Sequence, residues 1–151
     1  MGDRKKSALR VLLPLLASLA AVHSWAEMPR IDLAVGFYRV DAEVAANPAD
    51  RRLGLMNRRN MAANHGMLFV FTQADRHCMW MRNTLLPLAV AFIDRDGRIL
   101  NIEEMQPNTD DSHCASAPAT FALEMNRRWF SDKGFKPGTM IHGLDSAPLA
   151  H

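Results

Sequence analysis

The segment richest in chemistry is His77-Cys78-Met79-Trp80-Met81-Arg82-Asn83-Thr84, which strings together an imidazole, a thiol, two thioethers, an indole, a guanidinium, an amide and a hydroxyl. A strand running from His77 to Met81 would put His77, Met79 and Met81 on one face and Cys78, Trp80 and Arg82 on the other. Arg82, Asn83 and Thr84 would then form a polar end where the strand opens into a turn. There the indole supplies contact area, while the cation, amide and hydroxyl fix the orientation of a polar or anionic ligand. The same residue types also serve folding, because Asn and Thr bond nearby backbone in turns and Trp fills cores. A ligand site of Trp80, Met81, Arg82, Asn83 and Thr84 therefore stands beside a purely structural corner. What separates them is whether Trp80 and Asn83 line an open pocket.

Two sharper chemistries compete with simple binding. His77, Met79 and Met81 on one face offer the soft ligands that suit Cu(I), so copper is the alternative to a cofactor-free protein. Met is also a core filler, Met67, Met105, Met125 and Met140 fall within apolar stretches, and no Met-x-x-Met or His-rich run occurs. A hydrolase would use His113 with acids near it in Thr109-Asp110-Asp111-Ser112-His113-Cys114. Neighbours in sequence make no triad without convergence in space. The chain holds no Gly-x-Ser-x-Gly elbow, no His-Glu-x-x-His, no phosphate-cradling glycine loop and no dinucleotide fingerprint, which weighs against an enzyme. Asp94-x-Asp96 begins like a calcium loop, but Ile99 and Met105 stand where glycine and a bidentate acid are required. Glu124, within Phe121-Ala122-Leu123-Glu124-Met125, either faces solvent or is buried with a partner such as Arg82 or His77.

These groups must be positioned by a small domain. The chain has 151 residues, of which 48% are hydrophobic and 23% charged, the composition of one ordinary globular unit. Its first 26 residues have the layout of a cleavable secretory signal: Arg4, Lys5, Lys6 and Arg10, an apolar run from Val11 to Val22, then Ser24-Trp25-Ala26. The run is too short for a spanning helix and is broken by Pro14, so no stable membrane span is expected after cleavage. Without that leader, 14 Lys and Arg face 15 Asp and Glu, a balance that offers nucleic acid no electrostatic footing. The expected mature protein starts at Glu27 and is periplasmic or secreted. In an oxidising compartment an even pair, Cys78 and Cys114, is expected to form a disulfide, which would also hold the Asp110, Asp111 and His113 loop beside Trp80.

Alternation predicts a hairpin, with Ile31, Leu33 and Val35, then Gly36, then Tyr38, Val40, Ala42 and Val44. Asn47-Pro48-Ala49-Asp50 caps and starts a helix expected to reach about Met56, with Gly54 inside it. Short strands follow over 67–71, 77–81, 88–93, 99–105, 121–125 and 139–144, with Asp94-Arg95-Asp96-Gly97 as a hairpin turn. Asn126 is placed to cap a second helix holding Trp129 and Phe130, ended by Gly134. Arg51, Arg52, Arg58 and Arg59 read as a solvated cationic face. The expected architecture is a mainly β sandwich or barrel with two short helices over residues 27–144 and a loose tail over 145–151.

Three strings carry a family likeness: Arg52-Leu53-Gly54-Leu55-Met56, Gly66-Met67-Leu68-Phe69-Val70-Phe71, and Trp80-Met81-Arg82-Asn83-Thr84 followed by Leu85-Leu86-Pro87-Leu88 and Phe92-Ile93-Asp94. Over about residues 31–144 the chain resembles the bacterial and archaeal domain of unknown function 192. The resemblance implies a compact, mostly β fold of jelly-roll or small-barrel character and frequent export, with no established activity. Arg82 departs from it, standing where lysine is usual, and the two cations differ in geometry. The functional expectation is an exported, non-catalytic module for a small ligand or an envelope protein, with soft-metal binding and hydrolysis as alternatives.

Overall fold

A computed structural model describes residues 27–151, so the expected signal sequence lies outside the described residues. Eleven extended or helical segments among the described residues set the frame, beginning with β1 (Arg30–Val35), β2 (Tyr38–Ala45) and α1 (Pro48–Leu53). They continue with β3 (His65–Asp75), β4 (Cys78–Met79), β5 (Leu88–Ile93), β6 (Ile99–Met105), β7 (His113–Cys114), β8 (Ala119–Asn126), α2 (Trp129–Asp132) and β9 (Ile141–His142). Seven strands form one sheet in the order β6-β5-β8-β3-β2-β1-β9, and β4 pairs with β7 apart from it. All neighbours are antiparallel except β2 and β3. The sheet curls until its two edges meet at one end, where Arg98 bridges Met140 and Ile141 N–H donates to the Gly97 carbonyl at 2.8 Å. The mainly β expectation with two short helices is met as a half-barrel. Among the described residues, no helix is long and apolar enough to cross a membrane.

Both faces of the sheet are covered, and the period of two decides which residue meets which cover. Leu68, Val70, Ala89, Ala91, Leu123 and Met125 join Leu33, Val40, Trp129, Phe130 and Ile141 in the interior of the curl. Their sequence neighbours Met67, Phe69, Leu88, Val90, Phe92 and Ala122 point the other way, under Leu55, Met81 and Leu86. Glu124, between Leu123 and Met125, therefore belongs to this second face. It is buried, and it is not the outward-facing carboxylate of a half-solvated strand.

Four local expectations are corrected. Helix α1 is capped as expected, Asn47 Oδ1 accepting from Asp50 N–H at 2.9 Å, but it ends at Leu53. Gly54 is its C-terminal cap at φ +48°, a left-handed value that L side chains rarely adopt. Asn126 does not cap α2, whose N-cap is Arg128; its amide donates to the carbonyls of Met61 and Ala62. The expected strand over 77–81 has only Cys78 and Met79, and that over 139–144 only Ile141 and His142. Along the 145–151 segment, Ala147 and Ala150 pack on the interior core, and His151 N–H donates to the Ala46 carbonyl at 3.1 Å.

Gly66 marks the closest approach of β3 to β8. A Cβ there would stand 2.5 Å from the Glu124 carbonyl oxygen and also strike the Met125 sulfur. Gly66→Ala must push apart the strands that carry Glu124, and we expect a loss of roughly 2–3 kcal/mol, in the range of overpacked cores. Urea unfolding checks it, and an unchanged midpoint would contradict it.

Candidate functional site

A cleft of about 500 Å3 opens on the second face of the sheet. That volume lies within the range of small-molecule sites. Phe69 and Phe71 of β3 and Glu124 of β8 form its floor. One wall is α1 and the turn after it, with Arg51, Arg52, Leu55 and Met56; the other is His77 to Trp80, with Thr84.

The second wall is held from several directions. A disulfide joins Cys78 to Cys114, whose Cα atoms are 4.0 Å apart as register partners of β4 and β7. Backbone bonds run from Ala115 N–H to the His77 carbonyl at 2.9 Å and from Met81 N–H to the Thr109 carbonyl at 3.1 Å. Thr84 N–H closes a turn onto the Met81 carbonyl at 3.0 Å, with Asn83 in the left-handed region at φ +55°, which Asn tolerates. The Asn83 carbonyl accepts from Asn57 N–H at 2.8 Å, joining the two walls. The first wall is anchored in turn by Arg58, which grips Glu43 of β2 with two bonds of 2.6 and 2.5 Å, and by Arg51, which donates to the Ala46 and Val70 carbonyls. These two arginines are structural clamps, where composition suggested only a solvated face.

Of the expected ligand residues, Trp80, Thr84 and Glu124 line the cleft. The indole is 51% exposed, so it is no core plug. The Arg82 guanidinium stands over its ring, 4.5 Å from the centroid, and donates to Asp110 Oδ1 at 2.9 Å. Arg82 and Asp110 thus steady the indole from beside the cleft without lining it. The Thr84 hydroxyl donates to the Arg82 carbonyl at 3.3 Å and keeps lone pairs for a ligand donor. Met81 is fully buried in the core, and Asn83 shapes the turn.

The loop expected to rim the cleft does not. Asp110, Asp111 and His113 are absent from its lining, and His113 Nε2 is buried without a hydrogen-bond partner among the described residues. The hydrolase reading therefore finds no acid or hydroxyl beside that nitrogen. The shared face of His77, Met79 and Met81 is lost because the chain leaves the strand at Trp80: His77 and Met79 line the cleft, whereas Met81 is sealed beneath it. His77 Nε2 lies 2.9 Å from the Gln73 carbonyl, and its ring stacks on Phe71 at 3.7 Å.

Glu124 is the most unusual group. Neither Arg82 nor His77 pairs with it, since Arg82 is committed to Asp110 and His77 to Gln73. Burial alone pushes its pKa up to about 8, because a desolvated carboxylate is costly and no counter-charge relieves it. At neutral pH it is mainly a neutral acid, able to donate a hydrogen bond into the cleft.

The family model of DUF192, described as uncharacterised, matches residues 31–143. The chain belongs to the DUF192 family. A comparison with curated proteins finds no match. Among solved structures, one from Sinorhizobium meliloti 1021, provisionally described as a transcription regulator, is 36% identical, with a TM-score of 0.71 over 76% of this chain and 92% of that one. A protein of unknown function from Novosphingobium aromaticivorans DSM 12444 is 26% identical, with a TM-score of 0.68 over 93% of this chain and 99% of that one. The strings that make this a DUF192 chain also build the site: Arg52 to Met56 is one wall, Phe69 and Phe71 the floor, Trp80 and Thr84 the other wall. Arg52, Leu55, Met56 and Phe71 were not legible as site residues. Their only signal was membership of those strings.

Proposed function

We propose that this DUF192 chain is an exported, non-catalytic module that binds a small ligand in the cleft between α1 and the disulfide-held corner. The observation that carries the reading is a half-exposed indole and a buried carboxyl without an ion-pair partner lining one ligand-sized cleft. An aromatic platform with a few fixed polar groups is the usual build of a recognition site, and a stable scaffold has no need to keep an acid there. The Cys78–Cys114 bridge supports an oxidising compartment. A direct nucleic-acid role gains no support from charge: residues 27–151 carry one more acid than base, and Arg30, Arg39, Arg58, Arg82, Arg127 and Arg128 are all paired with carboxylates.

A fragment library screened by thermal shift tests the proposal. Hits should raise the melting temperature of the wild type. Trp80→Ala, which removes an exposed ring, should melt within a few degrees of the wild type and lose about tenfold or more in affinity, since aromatic anchors dominate small sites. Hits that bind Trp80→Ala equally well, or no hit from a broad library, would refute it. Export is tested separately: protein recovered from the periplasm should begin near Glu27 and show no alkylatable thiol before reduction.

A further inference from the structure

Among the described residues Glu124 is the one acidic side chain in the lining of the cleft, and its carboxyl forms no ion pair with any of their cations; burial raises its pKa. The charged or titratable groups sharing the cleft are Arg51 and Arg52 of α1 and His77 ahead of β4. Arg51 is turned to the carbonyls of Ala46 and Val70, Arg52 is exposed, and His77 is engaged with Gln73. The strands flanking β8 place Met67 and Val90 beside Glu124 in register, and neither carries charge. The rest of the cleft lining is aliphatic, aromatic and thioether surface, chiefly Leu55, Phe69, Phe71, Trp80, Met56 and Met79, with hydroxyls from Thr72 and Thr84.

An anion or a neutral molecule can use such a carboxyl only as a hydrogen-bond donor. An ammonium ion gains both its full negative charge, little screened at a buried site, and the electron-rich ring faces. Arg51 and Arg52 are the charges in the lining that oppose a cation: Arg51 is turned to two backbone carbonyls, and Arg52 is exposed, where its charge is screened. Resting on the cleft being the ligand site, we infer that the ligand is a small organic cation, a primary or methylated ammonium compound with an apolar body, whose head meets Glu124 while its body packs on Trp80 and Phe71.

Proton linkage gives the inference a distinctive signature. The free protein keeps a proton on Glu124 up to about pH 8, and a bound cation favours the ionised form, so binding expels the proton. Affinity should climb about tenfold per pH unit from pH 6 towards 8 and level off above. The test titrates the disulfide-bonded protein, purified from cells expressing the full chain, with benzyltrimethylammonium, benzyl alcohol and benzoate at pH 6, 7 and 8. The ammonium should bind at least about tenfold tighter than either relative at pH 8, one buried charge pair being worth that or more. The slope should persist in His77→Gln, which excludes that imidazole as its source, and vanish in Glu124→Gln along with the preference. A melting curve for Glu124→Gln separates lost recognition from lost folding. Equal or tighter binding of benzyl alcohol or benzoate would overturn the cation while leaving the cleft as a site. A flat pH profile, or no binding by the ammonium, would overturn it too, and the fragment screen would then decide the cleft by itself.

Discussion

Glu124→Gln should make the folded protein more stable by roughly 4–5 kcal/mol at pH 8 and by almost nothing near pH 4.5. An unfolded chain releases the Glu124 proton around the ordinary value of 4.5, whereas the folded protein keeps it until about pH 8. Between those values the native state binds the extra proton, so stability falls as pH rises, and above about pH 8 the loss is complete. Gln resembles the protonated acid in shape and donor capacity, so the substitution removes the titration with little change in packing. Asp41 and Glu43 act in the opposite sense at low pH. Their pKa values are held down by hydrogen bonds from Arg30 and Arg58, and the stability they contribute is lost as pH falls below the ordinary carboxylate range. The wild type should therefore be most stable in mildly acid solution, near pH 5. Urea unfolding of both proteins at pH 5, 6, 7 and 8 measures this. A wild-type stability that is level across the series, or one that rises with pH, would contradict a buried and unpaired acid.

The second large effect belongs to the disulfide. Cys78 and Cys114 close a loop over 36 positions, and replacing both by Ser should cost roughly 3–4 kcal/mol in the chain-entropy account. Against a total of about 5–15 kcal/mol for a domain of this kind, that is a large share. The loss should be larger for the site than for the barrel. The seven-stranded sheet has its own two cores, while β4 and β7 pair only with each other. Cys78→Ser/Cys114→Ser should keep its far-ultraviolet dichroism at room temperature, unfold at clearly lower urea, and bind any cleft ligand more weakly. Reduction of the wild type with dithiothreitol should reproduce those changes. A double variant that unfolds with the wild type would mean that the bridge neither stabilises the fold nor holds the wall.

What was legible in the sequence follows from where its rules are local. The first hairpin, the Asn47 cap and the turn at Asp94 to Gly97 each rest on a few adjacent residues, and each is present. The cysteine pairing needed only an even count and a compartment. Alternation fails where both sheet faces are covered: all six residues of β5 are buried, so no polar face remains to mark its inward side. Glu124 suffers from the same ambiguity, because a single acid in an apolar strand looks identical whether it faces water or a cleft. Its face is set by the cover that α1 and the disulfide-held segment make, and those contacts are distant in sequence. The strand predicted over 77–81 overestimates regularity, since two paired residues satisfy its backbone before a turn takes over. That early exit buries Met81 and exposes Trp80, turning the expected metal face into half a wall and a core residue.

The most direct test of the cleft is fluorine NMR of protein carrying 5-fluorotryptophan. Of the three tryptophans, Trp25 lies outside the described residues, Trp80 lies in the wall and Trp129 is buried with Phe130 in the interior core, so the Trp80 and Trp129 resonances, assigned by single Trp→Phe substitutions, report the site and the scaffold separately. Titration with the tightest fragment should shift the Trp80 resonance in a saturable way and leave Trp129 in place. A ligand that binds without moving Trp80, or that moves both resonances together, would contradict a recognition site at this corner.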